Sequence, residues 1–450
     1  NTAALTWHGP ADKARNNVAA IQIARQLEAD GRAATPAEIN ILARYVGWGH
    51  SEVMNYALKN LGLESILSEK EWESVKASTL NAHYTAIPVI AAIWRGLERL
   101  GIGKLERAQV LDPSAGVGHF KSATPPELRE KCNWTEIELD TLTALILGKL
   151  HPQSKVFAAG YEDVNLPKGF FDVAISNVPF GNYPVVFDGL PRHLCTSIHD
   201  FFFARSLELL RPGGVMAFIT SRYTLDKKDD KVRETLAEQC ELLTAVRLPN
   251  NAFMANAGTE VVTDIIFLRK RFAPNKDVPS WAFTSQIKLQ HHERDWAEQA
   301  FWINRYFLDH PENILGTPAA AGTMYRNYEY TVLPDERDLG QAIAAALEAS
   351  LPEDLLTIEA PQTQFAGVTL PEIQAEAEPA PVAEPAGVTA MRELYQMARE
   401  LLQKEVRQEP VAGLRHNLNT RYDEFVARYG FLNDPANTRL LKGTSELLFL

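Results

Sequence analysis

A polar amide, a rigid backbone and an aromatic ring follow one another at Asn177-Val178-Pro179-Phe180. The Asn177 side-chain oxygen and the Val178 carbonyl can both accept hydrogens from one amino group, while Phe180 stacks on the attached ring. Such acceptors localise the nitrogen lone pair toward a methyl donor without a metal or a strong base. Pro179 marks the exit of a strand, because proline within sheets is confined to edges and ends. We predict that these four residues are catalytic and act on a planar amine.

A second candidate site is the loop Asp112-Pro113-Ser114-Ala115-Gly116-Val117-Gly118. Glycines at the carboxyl end of a strand let the backbone approach a ligand closely. The third glycine of a dinucleotide-binding loop is missing, since Phe120 stands near its place. A carboxylate such as Asp112 repels phosphate but pairs well with an amine or a sulfonium. The predicted ligand is therefore cationic.

Acidic residues follow the next two predicted strands. An acid at the end of the second strand can accept both ribose hydroxyls of a nucleoside, and alternation assigns this role to Glu138. Glu136 and Asp140 are expected to form a solvated strand end. After the third strand, Glu162 or Asp163 can accept from the exocyclic amine of the nucleoside, with Glu162 as the preferred candidate.

Together these motifs resemble those of N6-adenine DNA methyltransferases that use S-adenosylmethionine. The match spans 83–268, with the motif order of the class whose DNA-recognition region lies C-terminal. A segment His83-Tyr84-Thr85-x-x-Pro88 resembles the one that contacts the methionine end of the cofactor. The resemblance implies the following cofactor-binding residues: Tyr84, Thr85, Pro88, Asp112, Pro113, Ala115, Gly116, Gly118, Glu138, Glu162 and Asp163.

A closer likeness is to the methyltransferase part of large phage and mobile-element proteins that join a methylase to a helicase. Phage defence-against-restriction proteins are an example, and the runs 47–49, 197–202 and 258–264 fit that likeness. The chain contains no GxxxxGK[ST] phosphate loop, so a helicase or another subunit is an expected partner. The usual catalytic motif has two prolines, and Val178 replaces the first; its expected contribution is a backbone carbonyl, which valine also supplies.

Short apolar runs between residues 108 and 271 predict strands separated by helical stretches. Strands that are apolar throughout are typical of a mostly parallel sheet with helices on both sides. No long helix fits between the last two runs, which predicts an antiparallel pair at one edge. The pattern indicates a doubly wound α/β fold, and the resemblance specifies a Rossmann-like methyltransferase with a seven-stranded sheet. The predicted strands are 108–111, 135–139, 155–159, 171–175, 214–220, 242–248 and 262–268.

The regions outside that sheet have distinct compositions. Residues 1–80 predict a helical module with a capping box at Thr35-Pro36-Ala37-Glu38. It is expected to pack on the methyltransferase domain at 81–271, and a direct contact with DNA is the alternative. Residues 272–349 form a mixed accessory region, and Pro, Ala and Glu indicate a linker at 350–388. Helical spacing predicts two helices in the C-terminal segment, 389–450, the second ending at Gly430.

The formal net charge of −12 is local. Residues 331–390 hold eleven acids and one base, so they carry −10, and the catalytic half of the chain is close to neutral. Near-neutrality permits DNA as a partner but is not the basic face of a tight autonomous binder. Three distant cysteines and the absence of a signal-peptide or membrane pattern predict a cytoplasmic protein without structural zinc.

Several weaker features have two interpretations. The basic groups 227–233 and 269–276 either contact phosphates or form solvated faces. His199 and Asp200 can be a catalytic pair, but at a helix start beside phenylalanines they are expected to cap and pack. Phe253 either touches the target base or packs in the core, and packing is the preferred interpretation.

The sequence thus predicts methyl transfer from S-adenosylmethionine to N6 of a flipped-out adenine in DNA. Two alternatives stay open. The same geometry methylates RNA adenine, cytosine N4 or a glutamine side chain. A degenerate methylase serving as a DNA-binding or assembly module is the non-enzymatic alternative.

Overall fold

A computed structural model describes residues 9–78, 85–253, 261–291, 294–322, 328–358, part of 387–401, 411–432 and 434. The chain divides into two compact units, Asn1–Gln362 and Thr363–Leu450. The helices are α1 (Pro10–Asp30), α2 (Pro36–Leu42), α3 (Ser51–Leu61), α4 (Leu63–Ile66), α5 (Glu69–Ser78), α6 (Ile87–Arg99), α7 (His119–Ser122), α8 (Thr141–Leu150), α9 (Ile198–Leu209), α10 (Tyr223–Asp226), α11 (Lys231–Gln239), α12 (Arg305–Asp309), α13 (Leu339–Ser350) and α14 (Ala412–Tyr429). The strands are β1 (Ala108–Asp112), β2 (Cys132–Glu138), β3 (Lys155–Ala158), β4 (Phe171–Asn177), β5 (Leu210–Ser221), β6 (Cys240–Arg247), β7 (Thr263–Lys270), β8 (Thr284–His291), β9 (Arg294–Asn304), β10 (Thr317–Gly322) and β11 (Glu329–Leu333).

The first unit is built on a seven-stranded sheet with the strand order β3-β2-β1-β4-β5-β7-β6. The strands are parallel except β7, which runs antiparallel to both β5 and β6. The predicted strands and the antiparallel pair at one edge are confirmed, although β2, β5 and β6 begin earlier than predicted. This order with its single antiparallel strand is that of Rossmann-like methyltransferases, so the predicted fold class is confirmed as well.

Helices cover both faces of this sheet, because its strands are apolar on both sides. One hydrophobic core joins the sheet to α9 and α11, with Phe201 and Leu236 among its buried members. The other joins the sheet to α6 and α13 around Trp94 and Ile343.

Helices α1 to α5 form the N-terminal module, and α1, α2 and α5 pack on α8, which follows β2. The predicted capping box is present, since the Thr35 hydroxyl accepts from the Glu38 N–H and the Glu38 carboxylate accepts from the Thr35 N–H. Buried Asn17 fixes the turn at Gly47-Trp48-Gly49. Its amide donates to the Gly47 carbonyl at 2.6 Å and its oxygen accepts from the Val46 N–H at 2.8 Å.

A second sheet, with the strand order β11-β10-β8-β9, occupies the accessory region. A buried ion-pair network attaches it to the first sheet. Arg247 at the end of β6 donates to both oxygens of Asp264 at 2.8 Å and lies 2.8 Å from Asp226. Asp226 also accepts from the backbone N–H of Asn304 at 2.9 Å, and the Arg247 guanidinium lies over the ring of Phe307. The network holds the accessory sheet against β5–β7.

Helix α13 and the residues after it return to the methyltransferase sheet and pack on α6. Gly96 permits this approach, because a Cβ there would lie 3.0 Å from Leu351. The Arg99 guanidinium donates to the Leu351 carbonyl at 2.6 Å, and Leu356 is buried. The predicted linker therefore begins too early at residue 350, because these leucines reach the core. Residues 359–386 lie outside the described residues.

The second unit contains α14, which ends at Gly430 as predicted, and the described residues of 387–401 that are helical. Met391 and Leu394 are buried against Phe425. The predicted apolar faces of the two helices therefore pair. Within the part of the chain that the structure describes, none of the helices is long and apolar enough to cross a bilayer.

Candidate active site

The carboxyl edge of the sheet brings the predicted motifs together. Strands β1 and β4 are neighbours, so Asp112 at the end of β1 lies beside the strand that leads into Asn177. The Ser176 hydroxyl donates to Asp112 Oδ1 at 2.7 Å, and both residues are fully buried. Ser176 is not among the predicted site residues; the sequence signal for it is a polar residue directly before Asn177 on a strand that is buried on both faces.

Asp112 is a buried carboxylate with spare acceptor capacity. Its Oδ1 also accepts from the Ser114 N–H at 3.2 Å, whereas Oδ2 has no hydrogen-bond partner among the described residues. Burial raises the pKa of Asp112 well above its usual value, and the neighbouring Glu136 carboxyl adds to that rise. A cation next to Oδ2 would favour the ionised form. The environment is compatible with the cationic ligand predicted from the sequence.

The loop after β1 turns through left-handed backbone at Gly116, with φ 57°, and at Gly118, with φ 79°. A Cβ on Gly118 would lie 2.6 Å from the His151 ring, so the end of α8 packs directly on the loop. The Ala115 N–H donates to the Ile137 carbonyl of β2 at 2.9 Å. The loop is therefore held against both β2 and α8.

Glu138 at the end of β2 closes this loop. Its Oε2 accepts from the Gly116 N–H and its Oε1 from the Asp140 N–H, each at 2.9 Å. Each oxygen keeps a lone pair for one further donor, which suits two ribose hydroxyls. Burial raises the pKa of Glu138 to about 7; the Asp140 carboxylate contributes to the rise, whereas the backbone N–H groups of Asp140, Gly116 and Leu139 oppose it.

The expectation that Glu136 and Asp140 form a solvated strand end is wrong, since they are 0% and 2% exposed. Glu136 shares its face of β2 with Glu138, because alternate residues of a strand point the same way. Its two oxygens have no hydrogen-bond partner among the residues described. Asp140 caps α8, where it accepts from the Thr143 N–H at 3.2 Å and from the Ser74 hydroxyl at 3.0 Å. Aspartate directly before an apolar helical run is the signal for this cap.

The motif predicted to be catalytic leaves the sheet at the end of β4. The Val178 N–H donates to the Ile219 carbonyl of β5 at 3.0 Å, and the valine side chain is buried. A proline at this position would lack that donor. Phe180 is half-buried and meets buried Phe253 edge to face, with ring centroids 6.4 Å apart. Phe253 therefore packs against Phe180, in line with the preferred interpretation.

Glu162 and Asp163 follow β3 and border a cavity of about 260 Å³. Phe187 and buried Arg205 also line this cavity, and the guanidinium carbon of Arg205 lies 4.8 Å from the centroid of the Phe187 ring. Glu162 is half-buried and Asp163 is exposed. Burial raises the pKa of Glu162, and the Asp163 carboxylate adds to this effect. Both acids are thus next to a space lined by an aromatic ring.

The upstream cofactor segment is described only in part. Tyr84 lies outside the described residues. Thr85 is buried, and its hydroxyl has no hydrogen-bond partner within the described ranges. Pro88 is exposed in the first turn of α6 and lies next to Gly340 of α13, while Pro113 is buried at the start of the glycine loop. The roles assigned to these residues stay predictions.

Ser197, His199 and Asp200 form a buried polar cluster in the first turn of α9. The Ser197 hydroxyl donates to Asp200 Oδ2 at 2.6 Å and lies 3.2 Å from His199 Nε2. Lys227 reaches the same carboxylate at 3.4 Å. Burial lowers the pKa of His199, and the Asp200 carboxylate opposes that shift. The cluster is buried at the start of α9, as the packing interpretation expects, but no side chain caps the helix, so the expected capping role is wrong.

The two basic groups emerge at opposite edges of the sheet. The group 227–233 follows β5 at the carboxyl edge, where the Lys228 ammonium lies 5.3 Å from the centroid of the Trp302 ring. The group 269–276 follows antiparallel β7 and emerges at the amino edge, next to the start of β5. There Lys270 donates to the Leu210 carbonyl at 2.7 Å. The second group therefore lies at the edge of the sheet opposite to Asn177.

The strand order is that of a class I methyltransferase fold. The chain is 29% identical over 209 residues, 46% of its length, to Defense against restriction protein B of Escherichia phage P1. It is 26% identical over 196 residues, 38% of its length, to the type I restriction enzyme EcoEI methylase subunit of Escherichia coli. These matches cover 9% of the phage protein and 39% of the EcoEI subunit.

Among solved structures, the type I restriction-modification methyltransferase subunit from Streptococcus thermophilus is 21% identical, with a TM-score of 0.37. The match covers 44% of this chain and 48% of that one. No protein-family model matches the sequence. The sequence similarity to the phage and EcoEI proteins thus covers less than half of this chain and only part of each of those proteins.

Proposed function

We propose that this chain transfers a methyl group from S-adenosylmethionine to N6 of adenine in DNA, as part of a larger phage, defence or anti-restriction system. The relation to a phage defence-against-restriction protein and to a type I methylase subunit supports the substrate class. The observation that carries the proposal is the adjacency of two motifs. Asn177 follows Ser176, whose hydroxyl holds Asp112 of the glycine loop at 2.7 Å.

The residues present fit this cofactor. Asp112 Oδ2 and the Thr85 hydroxyl are buried without a hydrogen-bond partner in the described ranges, so each can serve a polar ligand. Uncompensated carboxyl groups suit a ligand that carries an ammonium and a sulfonium charge. Glu138 would accept both ribose hydroxyls, and Glu162 or Asp163 the exocyclic amine of its adenine.

S-adenosylmethionine, when bound, supplies an activated methyl group. The chain's own contribution is to hold the acceptor nitrogen. The Asn177 side-chain oxygen and the Val178 carbonyl would accept the two hydrogens of the target amine, which directs its lone pair away from the ring plane. Phe180 would stack on the base, and buried Phe253 supports the Phe180 ring edge to face. The Ile219 carbonyl keeps the Val178 backbone in place by accepting a 3.0 Å hydrogen bond from the Val178 N–H.

The target adenine would have to leave the duplex, which costs a few kcal/mol that other protein contacts must supply. Exposed Lys228, with Trp302 beneath its ammonium, lies at the correct edge to contact phosphates. Lys227 is partly neutralised by Asp200. Because the catalytic half of the chain is close to neutral in sequence, the protein would rely on a helicase or another subunit to hold its DNA.

The replacement of Asn177 by alanine tests the proposal. We expect methyl transfer to be lost while the affinity for S-adenosylhomocysteine, measured by calorimetry, stays at the wild-type value. Asn182→Ala is the matched control, because Asn182 is exposed on the same loop two residues beyond the motif. Loss of cofactor binding in Asn177→Ala would contradict the role assigned to Asn177.

The acceptor is identified by tritium transfer from labelled cofactor to unmethylated DNA, RNA and protein. Transfer to DNA, with N6-methyladenine found on sequencing, supports the proposal. Transfer to RNA, to cytosine N4 or to glutamine would refute adenine in DNA as the substrate and would identify the actual acceptor. Cofactor binding without transfer to any acceptor would favour the non-enzymatic DNA-binding or assembly role.

A further inference from the structure

We propose that the N-terminal helical module is part of the cofactor site, with Ser74 and Tyr45 as positioning residues. Their hydroxyl groups fix the position of Asp140, and Asp140 in turn orients the Glu138 carboxylate toward the ribose. This inference rests on the proposed function, because that function assigns the ribose to Glu138. The cofactor site would then require the N-terminal module in addition to the methyltransferase sheet.

Ser74 on α5 bridges the module to the start of α8. Its hydroxyl donates to Asp140 Oδ1 at 3.0 Å and accepts from the Thr141 backbone N–H at 3.1 Å. The same hydroxyl therefore contacts the capping side chain and one of the first N–H groups of the helix, which have no partners inside the helix itself. The Leu142 N–H of α8 also donates to Asp140 Oδ1, at 3.4 Å, so Ser74 adds a hydroxyl from the module to a cap that α8 begins itself.

Tyr45, at the end of the segment that follows α2, makes the second connection. Its side chain is fully buried, and its hydroxyl lies 3.4 Å from Thr143 Oγ1. Thr143 Oγ1 lies 2.5 Å from the other oxygen of Asp140. Both carboxylate oxygens of Asp140 are thus reached from the module, one directly by Ser74 and one through Thr143.

Asp140 transmits this constraint to the cofactor site through its backbone. Its N–H donates to Glu138 Oε1 at 2.9 Å, while Gly116 holds Oε2 at the same distance. These two bonds determine the plane of the carboxylate and hence the direction of its remaining lone pairs. The hydroxyl donors around Asp140 also absorb part of its negative charge, which reduces the repulsion between two adjacent carboxylates.

The module also packs on the glycine loop. Val117 belongs to the same hydrophobic cluster as Trp48 and Leu142, so the loop, α8 and the Gly47-Trp48-Gly49 turn share one core. The contact is independent of the polar connection through Asp140. It shows that both walls of the ribose site, the loop and the start of α8, are covered by the module.

The test uses the full chain with Ser74→Ala and Tyr45→Phe, each of which removes one hydroxyl. We expect S-adenosylhomocysteine to bind roughly 3- to 10-fold more weakly in calorimetry, the effect of one hydrogen bond, and Ser74→Thr to restore affinity. Matched controls are Ser65→Ala and Tyr56→Phe. Their hydroxyls bond within the module, to the Gly62 carbonyl and to Arg15.

A ligand without ribose hydroxyls separates positioning from general damage to the fold. The 2′,3′-dideoxy analogue of S-adenosylhomocysteine should bind wild type and Ser74→Ala equally, because Glu138 then has no partner to orient. Combining Ser74→Ala with Glu138→Gln should likewise give less than the sum of the two separate losses.

Wild-type affinity in both Ser74→Ala and Tyr45→Phe, or equal weakening for both ligands, would overturn the inference while the proposed function stands. A wild-type protein that binds neither ligand would overturn both. Cofactor binding with the expected losses but no methyl transfer would leave the positioning role intact and refute the activity alone.

Discussion

Replacing Val178 by proline creates the commoner two-proline form of the catalytic motif, yet we expect it to destabilise this protein. The Val178 N–H donates to the Ile219 carbonyl at 3.0 Å, which extends the pairing of β4 and β5 by one residue. Proline has no N–H to donate. The motif carbonyl that would face the substrate is the same in both forms.

The magnitude follows from two opposing effects. Ile219 is fully buried, so its carbonyl would lose a partner that water cannot replace, at a cost of about 1–3 kcal/mol. Proline lowers the entropy of the unfolded chain, which returns at most about 1 kcal/mol. Asn177 before it is already extended in β4, so the restriction on that residue adds little. The lost bond exceeds the entropic gain, and we expect a net loss of about 1–2 kcal/mol.

Urea unfolding of the full chain measures this difference. Val178→Ala is the control, because it keeps the N–H and removes only side-chain packing. In Val178→Pro, cofactor affinity should stay near wild type, since the glycine loop is untouched. A Val178→Pro protein as stable as wild type, or more stable, would refute the reasoning that the valine N–H stabilises this position.

Cofactor binding should strengthen between about pH 6 and about pH 8, because Glu138 ionises with a pKa of about 7. Calorimetry should find no such trend in Glu138→Gln. The same trend in this variant would contradict the role of Glu138 ionisation. The effect on stability has the opposite sign. Because folding raises the pKa of Glu138, the folded protein loses stability as the pH rises from the ordinary pKa of a glutamate toward 7. Over this pH range, the urea midpoint of Glu138→Gln should decline less than that of the wild type. Arg247→Leu should lower the free energy of unfolding by about 3–5 kcal/mol, because it leaves Asp264 buried without its 2.8 Å partner. Arg337→Leu, at an exposed pair, should change the urea midpoint little, and equal effects of the two substitutions would contradict this account.

The methyltransferase sheet was predictable because its strands are continuously apolar, a pattern that depends on local sequence alone. The second sheet was not. Its strands β8 and β9 mix polar and apolar residues, and its attachment depends on Arg247, Asp226 and Asn304, which are far apart in sequence. No local pattern reports a buried ion pair between distant residues.

The same distinction applies to the site. Asp112 and Asn177 could be found because each belongs to a compact motif. Glu136 was misassigned because charged residues are usually exposed, although the alternation that buries Glu138 applies to both. The bond from Ser74 to Asp140 joins residues 66 positions apart, so only the folded chain reveals it.

The return of α13 to α6 has a consequence for how the protein is made. Arg99 and Leu351 are joined by a hydrogen bond although they are 252 positions apart in the sequence. At a synthesis rate of about 5–20 residues per second, the outer face of α6 around Gly96 stays without its cover for roughly 13–50 s. A ribosome-bound chain would expose that apolar face throughout this interval. We therefore expect chaperones to bind the nascent chain there until the last turn of α13 has been synthesised.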